Sequence, residues 1–307
     1  MNTSRNTDMM IETKGKIMKQ KTQLKMNNYV FLLPAAIIYL STIVGPLFYS
    51  YYISFFKWNG ISAKKFIGFQ NYIQLFSADH IFKTALINNS IWIVLTLVIT
   101  TIVALGLALI LNKSFPGRTI FRGLFYFPCV IALIAVSIIW RWMYNPTIGF
   151  FNAFFKLIGS SYSQDWISNP ETSLYAVFVA SVWNGVGQTM ILFLAGLQTV
   201  SKDSLEAATI DGANALKKFI YVTIPYLRET FIIVFATLII SAMKVFDIIQ
   251  GLTAGGPNNA TQMLPTYMYY QTFQYNNVGK GTTISCIMVL FMLIVIVPYI
   301  GFTTKNK

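Results

Sequence analysis

Residues 87–111 read INNSIWIVLTLVITTIVALGLALIL, a stretch without a single charged side chain. About 20 helical residues cross the hydrocarbon core of a bilayer, so this stretch is long enough to span a membrane. Comparable apolar runs recur along the chain, at about 29–56, 120–140, 174–197, 231–249 and 282–302. The six runs predict an all-α membrane protein with about six transmembrane helices.

The composition of the whole chain agrees with this prediction. Of its 307 residues, 55% are hydrophobic and 11% are charged, and the mean hydropathy is +0.58. This leaves too little polar surface to cover a soluble globule. We therefore expect one membrane domain over residues 29–303 and no separate soluble module.

The distribution of lysine and arginine predicts the orientation in an inner or plasma membrane. Six spans place both termini on one side, and basic residues are enriched in cytoplasmic segments. Fifteen of them lie on the side of the termini, in 1–28, 112–122, 199–228 and 304–307, and seven lie in the opposite loops. We expect a basic cytoplasmic tail at 1–28, a cytoplasmic end at 304–307, and contact with membrane lipid between them.

The residues that usually carry chemistry are scarce. The single histidine, His80, has no histidine or cysteine near it, and Cys129 and Cys286 lie in apolar stretches. The chain also lacks the GxxxxGK[ST] pattern of a phosphate-binding loop. We therefore expect no metal site, no cofactor, no nucleic-acid partner and no catalytic residue in this chain.

The loop between the fourth and fifth spans, residues 204–225, is predicted to be folded. It reads SLEAATIDGANALKKFIYVTIP. We expect Ser204 to cap a short helix, Gly212 to end it with a positive φ, and Pro225 to lead into the next span. On the helix pattern alone, the alternative is a pair of short helices lying on the bilayer surface.

This loop resembles the EAA motif of importer permeases in the ATP-binding cassette (ABC) superfamily, in which Glu-Ala-Ala is followed by Gly and a hydrophobic-x-hydrophobic-Pro ending. Ile224 departs from the leucine of many relatives. The resemblance implies a type I ABC importer permease fold, with a cytoplasmic coupling helix that docks in a cleft of an ATPase subunit. The residues in register, which it identifies as ATPase-coupling residues, are Glu206, Ala207, Ala208, Asp211, Gly212, Ala213, Phe219 and Pro225.

Residues 246–261, FDIIQGLTAGGPNNAT, resemble the FD-x-I…LTxGGPxxAT signature of carbohydrate permeases. The similarity is to the first permease of maltose and glycerol-phosphate importers. Within it, Gly255, Gly256 and Pro257 are expected to form a tight turn in an external loop. The family implies a sugar substrate, a second permease subunit, an extracytoplasmic solute-binding protein and two ATPase subunits that hold ATP and Mg.

Polar side chains within the spans are candidates for the substrate pathway, because sugars bind to planar hydrogen-bonding groups beside aromatic rings. Membrane helices use the same amides to bond to one another, and this alternative stays open. Two of the candidates, Lys244 and Asp247, are oppositely charged and three residues apart, so they are expected to form an ion pair on one helix face. The candidates are Asn89, Trp183, Asn184, Gln188, Lys244 and Asp247.

The sequence thus predicts the permease subunit of an ATP-driven carbohydrate importer, and three other classes of protein compete with it. One of them, a membrane enzyme or scaffold, would have no reason for a helix-Gly-helix loop in this register. An ABC permease for a non-sugar solute would share the loop at Glu206 but not the turn at Gly255. An ion-coupled secondary transporter would carry functional charges at mid-membrane, where this chain is nearly bare.

Overall fold

The computed structural model describes residues 32–160 and 162–304, so the predicted tail 1–28 and nearly all of the predicted end 304–307 lie outside the described part. The chain divides into two compact units between Ile53 and Ser54. The described part of the first unit is one helix, α1 (Leu32–Ile53). Its outward residues are almost all apolar, as expected of a helix surrounded by lipid or by other apolar helices.

In the described part of the second unit, the secondary structure is helical apart from an antiparallel pair of two-residue strands, β1 (Phe56–Lys57) and β2 (Lys65–Phe66). Its helices are α2 (Gln70–Ser77), α3 (His80–Asn112), α4 (Arg118–Val130), α5 (Leu133–Met143), α6 (Phe150–Leu157), α7 (Ser173–Leu197), α8 (Lys202–Ile210), α9 (Ala215–Tyr226), α10 (Arg228–Met243), α11 (Asp247–Leu252), α12 (Leu264–Tyr269) and α13 (Val278–Thr304).

In the described part of the chain, four helices are long and apolar enough to cross a membrane: α1 of the first unit, and α3, α7 and α13 of the second. Two bent pairs, α4 with α5 and α9 with α10, raise the number to six if each pair counts as one span. The all-α architecture with about six spans is therefore as predicted. By length and composition, the first, second, fourth and sixth apolar runs each correspond to one long helix.

The third predicted span, 120–140, is not one straight helix, because α4 and α5 meet at an angle of 102°. A short 3₁₀ turn at Phe127–Val130 ends α4, and Pro128 within it has no N–H to donate. Ile131 and Ala132 are then extended, with ψ of 132° and 134°. All the side chains around this break are apolar, so hydropathy alone did not reveal it.

The fifth span also differs from the predicted 231–249. Its helix α10 begins at Arg228 and ends at Met243, after which Lys244 leaves the helical conformation. A separate helix, α11, begins at Asp247. The apolar residues Val245 and Phe246 continue the hydrophobic run across the gap, which is why the sequence suggested an unbroken helix.

The centre of the second unit is α7, and small residues let its neighbours approach closely. A Cβ atom on Gly187 would lie 2.2 Å from the carbonyl oxygen of Phe125 in α4. One on Gly196 would lie 2.1 Å from Oγ1 of Thr230 in α10. Membrane helices commonly pack through such small residues, since lipid offers no hydrophobic drive for their association.

A polar network joins the first residues of α3 and α13 to α12. The Asp79 carboxylate caps α3 by accepting from the Phe82 N–H at 2.9 Å, accepts from the Tyr267 hydroxyl at 2.6 Å, and pairs with the Lys280 ammonium. Burial raises the pKa of Asp79, but the bonds from Lys280, Tyr267 and Phe82 outweigh it and lower the pKa below its usual value. The stabilisation is present at neutral pH and is lost only as pH falls through this lowered pKa.

Gly187→Ala should destabilise the protein, because the added methyl group meets backbone rather than a flexible side chain. Overpacking of this kind costs about 1–3 kcal/mol. The matched control is Gly106→Ala in α3, where a Cβ atom would have no neighbour within 4 Å. Thermal unfolding of the purified protein in detergent should show a lower midpoint for Gly187→Ala alone, and equal midpoints would contradict the close approach of α7 and α4.

Candidate functional site

A cavity of about 490 Å³ lies among α3, α7 and α10. Two helix breaks open into it, the one between α4 and α5 and the one between α10 and α11. Ile131 of the first break and residues 244–248 at the second lie in the cavity wall. Non-helical backbone at membrane depth is tolerated where it lines a cavity or is buried in protein. The position of both breaks at one cavity makes this cavity the candidate functional site.

One wall of the cavity carries amides from α7. Asn184 and Gln188 lie one helical turn apart and both line the cavity, as their predicted role requires. The Asn184 Nδ2 donates to the carbonyl oxygen of Pro128 at 2.5 Å, and the Cys129 thiol lies 3.8 Å from Gln188 Oε1. Among the described residues Gln188 Nε2 has no partner, so both of its N–H groups are available to a ligand.

The facing wall carries hydroxyl groups that the sequence analysis missed. Thr96 and Thr100 on α3 line the cavity, where a π-helical turn over Thr96–Thr100 widens the helix. One turn earlier, Trp92 packs edge-on against Phe178 of α7, with ring centroids 5.2 Å apart. Threonines in an apolar run give no signal by themselves, and the π turn has no clear sequence pattern.

The third wall holds two charged side chains, Lys244 and Asp247, which line the cavity and are both exposed. The described residues include no ion pair or hydrogen bond between them, so the predicted pairing is wrong. The reason is the break itself, because Lys244 lies just past the last helical residue and Asp247 begins a new helix.

In the described ranges, no group of three His, Cys, Asp or Glu side chains is placed to bind a metal ion.

Two of the predicted pathway residues lie outside the cavity wall. Asn89 is fully buried and joins helices, since its Nδ2 donates to the Ala242 carbonyl at 3.3 Å and its Oδ1 accepts from the Leu264 N–H at 2.7 Å. Trp183 packs edge-on against Trp140, with ring centroids 5.8 Å apart. Both residues have structural partners, the alternative that the sequence left open for them.

The loop predicted at 204–225 is a helical hairpin made of α8 and α9, called the hairpin below. Gly212 has φ of +76° and ends α8. The Gly212 N–H donates to the Thr209 carbonyl at 3.1 Å, and the Ala213 N–H donates to the Ala208 carbonyl at 2.9 Å. These two bonds form a Schellman motif, so the conformation predicted for Gly212 is confirmed.

The N-cap of α8 lies three residues before the predicted Ser204. Ser201 caps the helix by accepting from the Ser204 N–H at 3.3 Å. Ser204 lies within α8, where its hydroxyl contacts the Tyr226 hydroxyl at 3.0 Å. Lys218 donates to Oγ1 of Thr209 at 3.1 Å, which also holds α9 against α8.

The hairpin exposes an apolar surface bordered by acidic side chains. Ile210 is 87% exposed, Leu216 64% and Tyr221 75%. Of the predicted coupling residues, the exposed ones are Glu206, Ala207, Asp211, Gly212 and Pro225, and the half-buried ones are Ala208, Ala213 and Phe219. Exposed apolar patches rimmed by polar groups are typical of protein interaction sites.

The predicted tight turn at Gly255, Gly256 and Pro257 is also present. Gly255 has φ of +86°, and a Cβ atom there would lie 1.7 Å from Oε1 of the buried Gln262. The Gly256 N–H donates to the Thr253 carbonyl at 2.9 Å. Glycine is therefore required at 255 both by backbone conformation and by space.

Comparison with known proteins identifies the family. Residues 97–303 match the family described as binding-protein-dependent transport system inner membrane component. The chain belongs to this family. A probable ABC transporter permease protein of Pyrococcus horikoshii is 33% identical, over 91% of this chain and 96% of the relative. The trehalose/maltose transport system permease protein of Thermococcus litoralis is 32% identical, over 89% of this chain and 92% of the relative.

The fold agrees with this assignment. A chain of a bacterial alginate ABC transporter, solved in complex with an alginate pentasaccharide-bound periplasmic protein, superposes with a TM-score of 0.82. The match covers 94% of this chain and 97% of that one, at 20% sequence identity. The type I importer permease fold expected from the sequence is thereby confirmed. The family and the two relatives confirm the location in a membrane and the membership of the ABC importer permeases.

The absence of a Lys244–Asp247 pair predicts that neither mutation rescues the other. Lys244→Met and Asp247→Asn should each lower uptake, and the double variant should be no more active than the less active single variant. Initial uptake rates in vesicles containing each variant measure this. A double variant that recovers activity lost in the singles would mean that the two charges do pair.

Proposed function

We propose that this chain is the transmembrane permease subunit of an ATP-driven, binding-protein-dependent carbohydrate importer, and that it forms half of the translocation pathway with a second permease subunit. The observation that carries the proposal is the chemistry of the cavity between the two helix breaks. Amide, hydroxyl and aromatic side chains converge there, and they are the groups that bind a polyhydroxylated ring.

The cavity offers a sugar both donors and acceptors. The free N–H groups of Gln188 can donate to ring hydroxyls, while the hydroxyls of Thr96 and Thr100 can accept or donate. Phe246 at the α10–α11 break adds an aromatic ring to the cavity lining. Lys244 and Asp247 carry opposite charges, which suits a neutral polar solute better than a strongly charged one.

The sugar class is also supported by the similar proteins. The Thermococcus litoralis relative belongs to a trehalose/maltose transport system, and the superposed chain belongs to an alginate transporter. The membership of the binding-protein-dependent transport family, and not the cavity itself, argues against the ion-coupled alternative. A non-sugar solute of similar polarity is the competing substrate, and the uptake assay below separates the two.

The hairpin is the proposed contact with an ATPase subunit. Its exposed apolar residues would enter a cleft of that partner, and Glu206 and Asp211 would orient the contact. ATP and Mg bind in the two ATPase subunits, since this chain carries no phosphate-binding loop. In this arrangement the hairpin and both termini lie in the cytoplasm, and the solute-binding protein lies on the opposite side.

Transmission of force requires that the hairpin move as one body. The Schellman motif, the Lys218–Thr209 bond and the Ser204–Tyr226 contact fix α8 to α9, and α9 continues into α10 through a 69° bend. Displacement of the hairpin would therefore move α10, whose other end forms the wall of the cavity. Alternating access then follows if the cavity opens to opposite sides in two such positions.

Gly212→Val should uncouple transport, because a β-branched residue is strained in the left-handed conformation. Gly212→Asn is the matched control, since asparagine tolerates positive φ at a helix end. We expect transport and solute-stimulated ATP hydrolysis in proteoliposomes to fall at least tenfold for valine and to be largely retained for asparagine, at equal protein levels. Full activity of the valine variant would count against the coupling role of the hairpin.

Gln188→Leu should weaken the sugar interaction. Loss of one or two hydrogen bonds, each contributing about 1 kcal/mol, should raise the half-saturation concentration for uptake roughly fivefold or more. The matched control is Gln198→Leu at the end of α7, away from the cavity wall. Competition by a panel of mono- and oligosaccharides, amino acids and polyols identifies the substrate class, and competition by non-sugars alone would overturn the proposal.

A further inference from the structure

Helix α6 has an exposed apolar face that none of the functions above uses. Phe150, Phe154 and Leu157 follow a spacing of four and three residues, which places them on one side of the helix. All three are exposed, and Leu157 is 85% exposed. Three large apolar side chains on one face of an eight-residue helix require an apolar environment of their own.

The opposite face of α6 is anchored to the protein. Phe151 stacks on Tyr144 with ring centroids 5.2 Å apart, and Oδ1 of the buried Asn152 accepts from the Trp166 Nε1–H at 3.2 Å. The Asn152 Nδ2 also donates to the Gln164 carbonyl at 2.9 Å. These contacts fix the rotation of α6, so its apolar face points outward as a defined surface.

Helix α2 repeats the same pattern. The exposed residues Phe69, which is its N-cap, Ile73 and Phe76 have the same spacing of four and three. On the other face, Leu75 is fully buried and the Asn71 Nδ2 donates to the carbonyl oxygens of Ser54 at 2.8 Å and Phe56 at 3.0 Å. Both α2 and α6, called the rim helices below, thus combine a fixed polar anchor with an outward apolar face.

The rim helices lie at the same end of the helix bundle. Helix α2 directly precedes α3, whereas α6 follows α5 and precedes α7. The Tyr144 hydroxyl, directly after α5, donates to the Ala176 carbonyl near the start of α7 at 2.8 Å, and Trp92 in the first half of α3 packs on Phe178 near the start of α7. The hairpin, which follows α7, is at the other end.

The surface next to α6 indicates what covers it. On α5, Ile134, Ile138 and Trp142 are exposed at a spacing of four, so they form one stripe along the second half of the bent α4–α5 pair. Between this stripe and α6 along the chain, Ile148 is exposed as well. The exposed side chains from α5 to α6 thus include several large apolar ones, and tryptophan is a side chain that is enriched at membrane interfaces.

The charge of α6 agrees with a lipid surface, and α2 carries no charge. Neither α2 nor α6 contains an acidic residue, and the charged residue of α6 is Lys156, which lies outside the apolar face. Basic side chains beside an apolar helix face are typical of helices that lie in the headgroup region of anionic membranes.

We propose that the rim helices α2 and α6 lie flat in the lipid headgroup region at the end of the protein opposite the hairpin, with their apolar faces in the acyl boundary. They would hold this end of the permease at a fixed depth while the hairpin end moves. The proposal needs only the membrane location of the chain and is independent of the substrate.

Nitroxide labels at single cysteines test this placement. Phe154→Cys and Ile73→Cys report on the apolar faces, and Lys156→Cys and Gln74→Cys are their matched controls on the same helices. All four are made in a Cys129→Ser, Cys286→Ser background of the full-length chain, with the subunits that co-purify, in vesicles of phosphatidylethanolamine and phosphatidylglycerol. Power saturation compares the accessibility of each label to oxygen, which enriches in lipid, and to a water-soluble nickel chelate.

We expect labels at 154 and 73 to be more accessible to oxygen than to the nickel chelate, and labels at 156 and 74 to show the reverse. Higher nickel accessibility at 154 and 73 would mean that these faces are in water, and would overturn the proposal. Protection of 154 and 73 from both reagents would mean that another protein subunit covers them, and would also overturn it. Uptake by the same samples tests the proposed function separately.

Discussion

The structure depends on one constraint, which is that a backbone N–H or C=O in hydrocarbon must find a partner. An intact helix satisfies this constraint within itself, and so the long helices α3, α7 and α13 need little from their neighbours. The breaks after Val130 and after Met243 do not satisfy it alone. Both breaks lie at the cavity that α3 and α7 also line. Beside the first break, the Asn184 side chain donates to the Pro128 carbonyl.

This dependence explains why amide and hydroxyl groups line part of the cavity in a chain that is mostly apolar. A broken helix needs amides and hydroxyls nearby, and those groups then remain available on the side that faces open space. The cavity and the breaks are therefore a single feature, in which Gln188, Thr96 and Thr100 supply the surface for a ligand. The same groups would be costly anywhere on the lipid-facing surface.

Hydropathy predicted the number of spans, and the positive φ of Gly212 could be predicted because few residues other than glycine adopt it at a helix end. Hydropathy could not locate the breaks, since Ile131, Val245 and Phe246 are as apolar as the helices around them. Nor could the sequence separate a pathway amide from a structural one. Asn89 and Asn184 have similar surroundings in the sequence, and only the fold places the first between helices and the second at the cavity.

The two successive asparagines of α3 have a mechanical consequence. Asn88 donates to the carbonyls of Ala260 and Gln262, and Asn89 bonds to Ala242 and Leu264. This staple joins one level of α3 to the last turn of α10 and to the segment before α12. These bonds hold the three pieces together, so a pivot within the body of α10 or at its junction with α9 would move the hairpin without separating them.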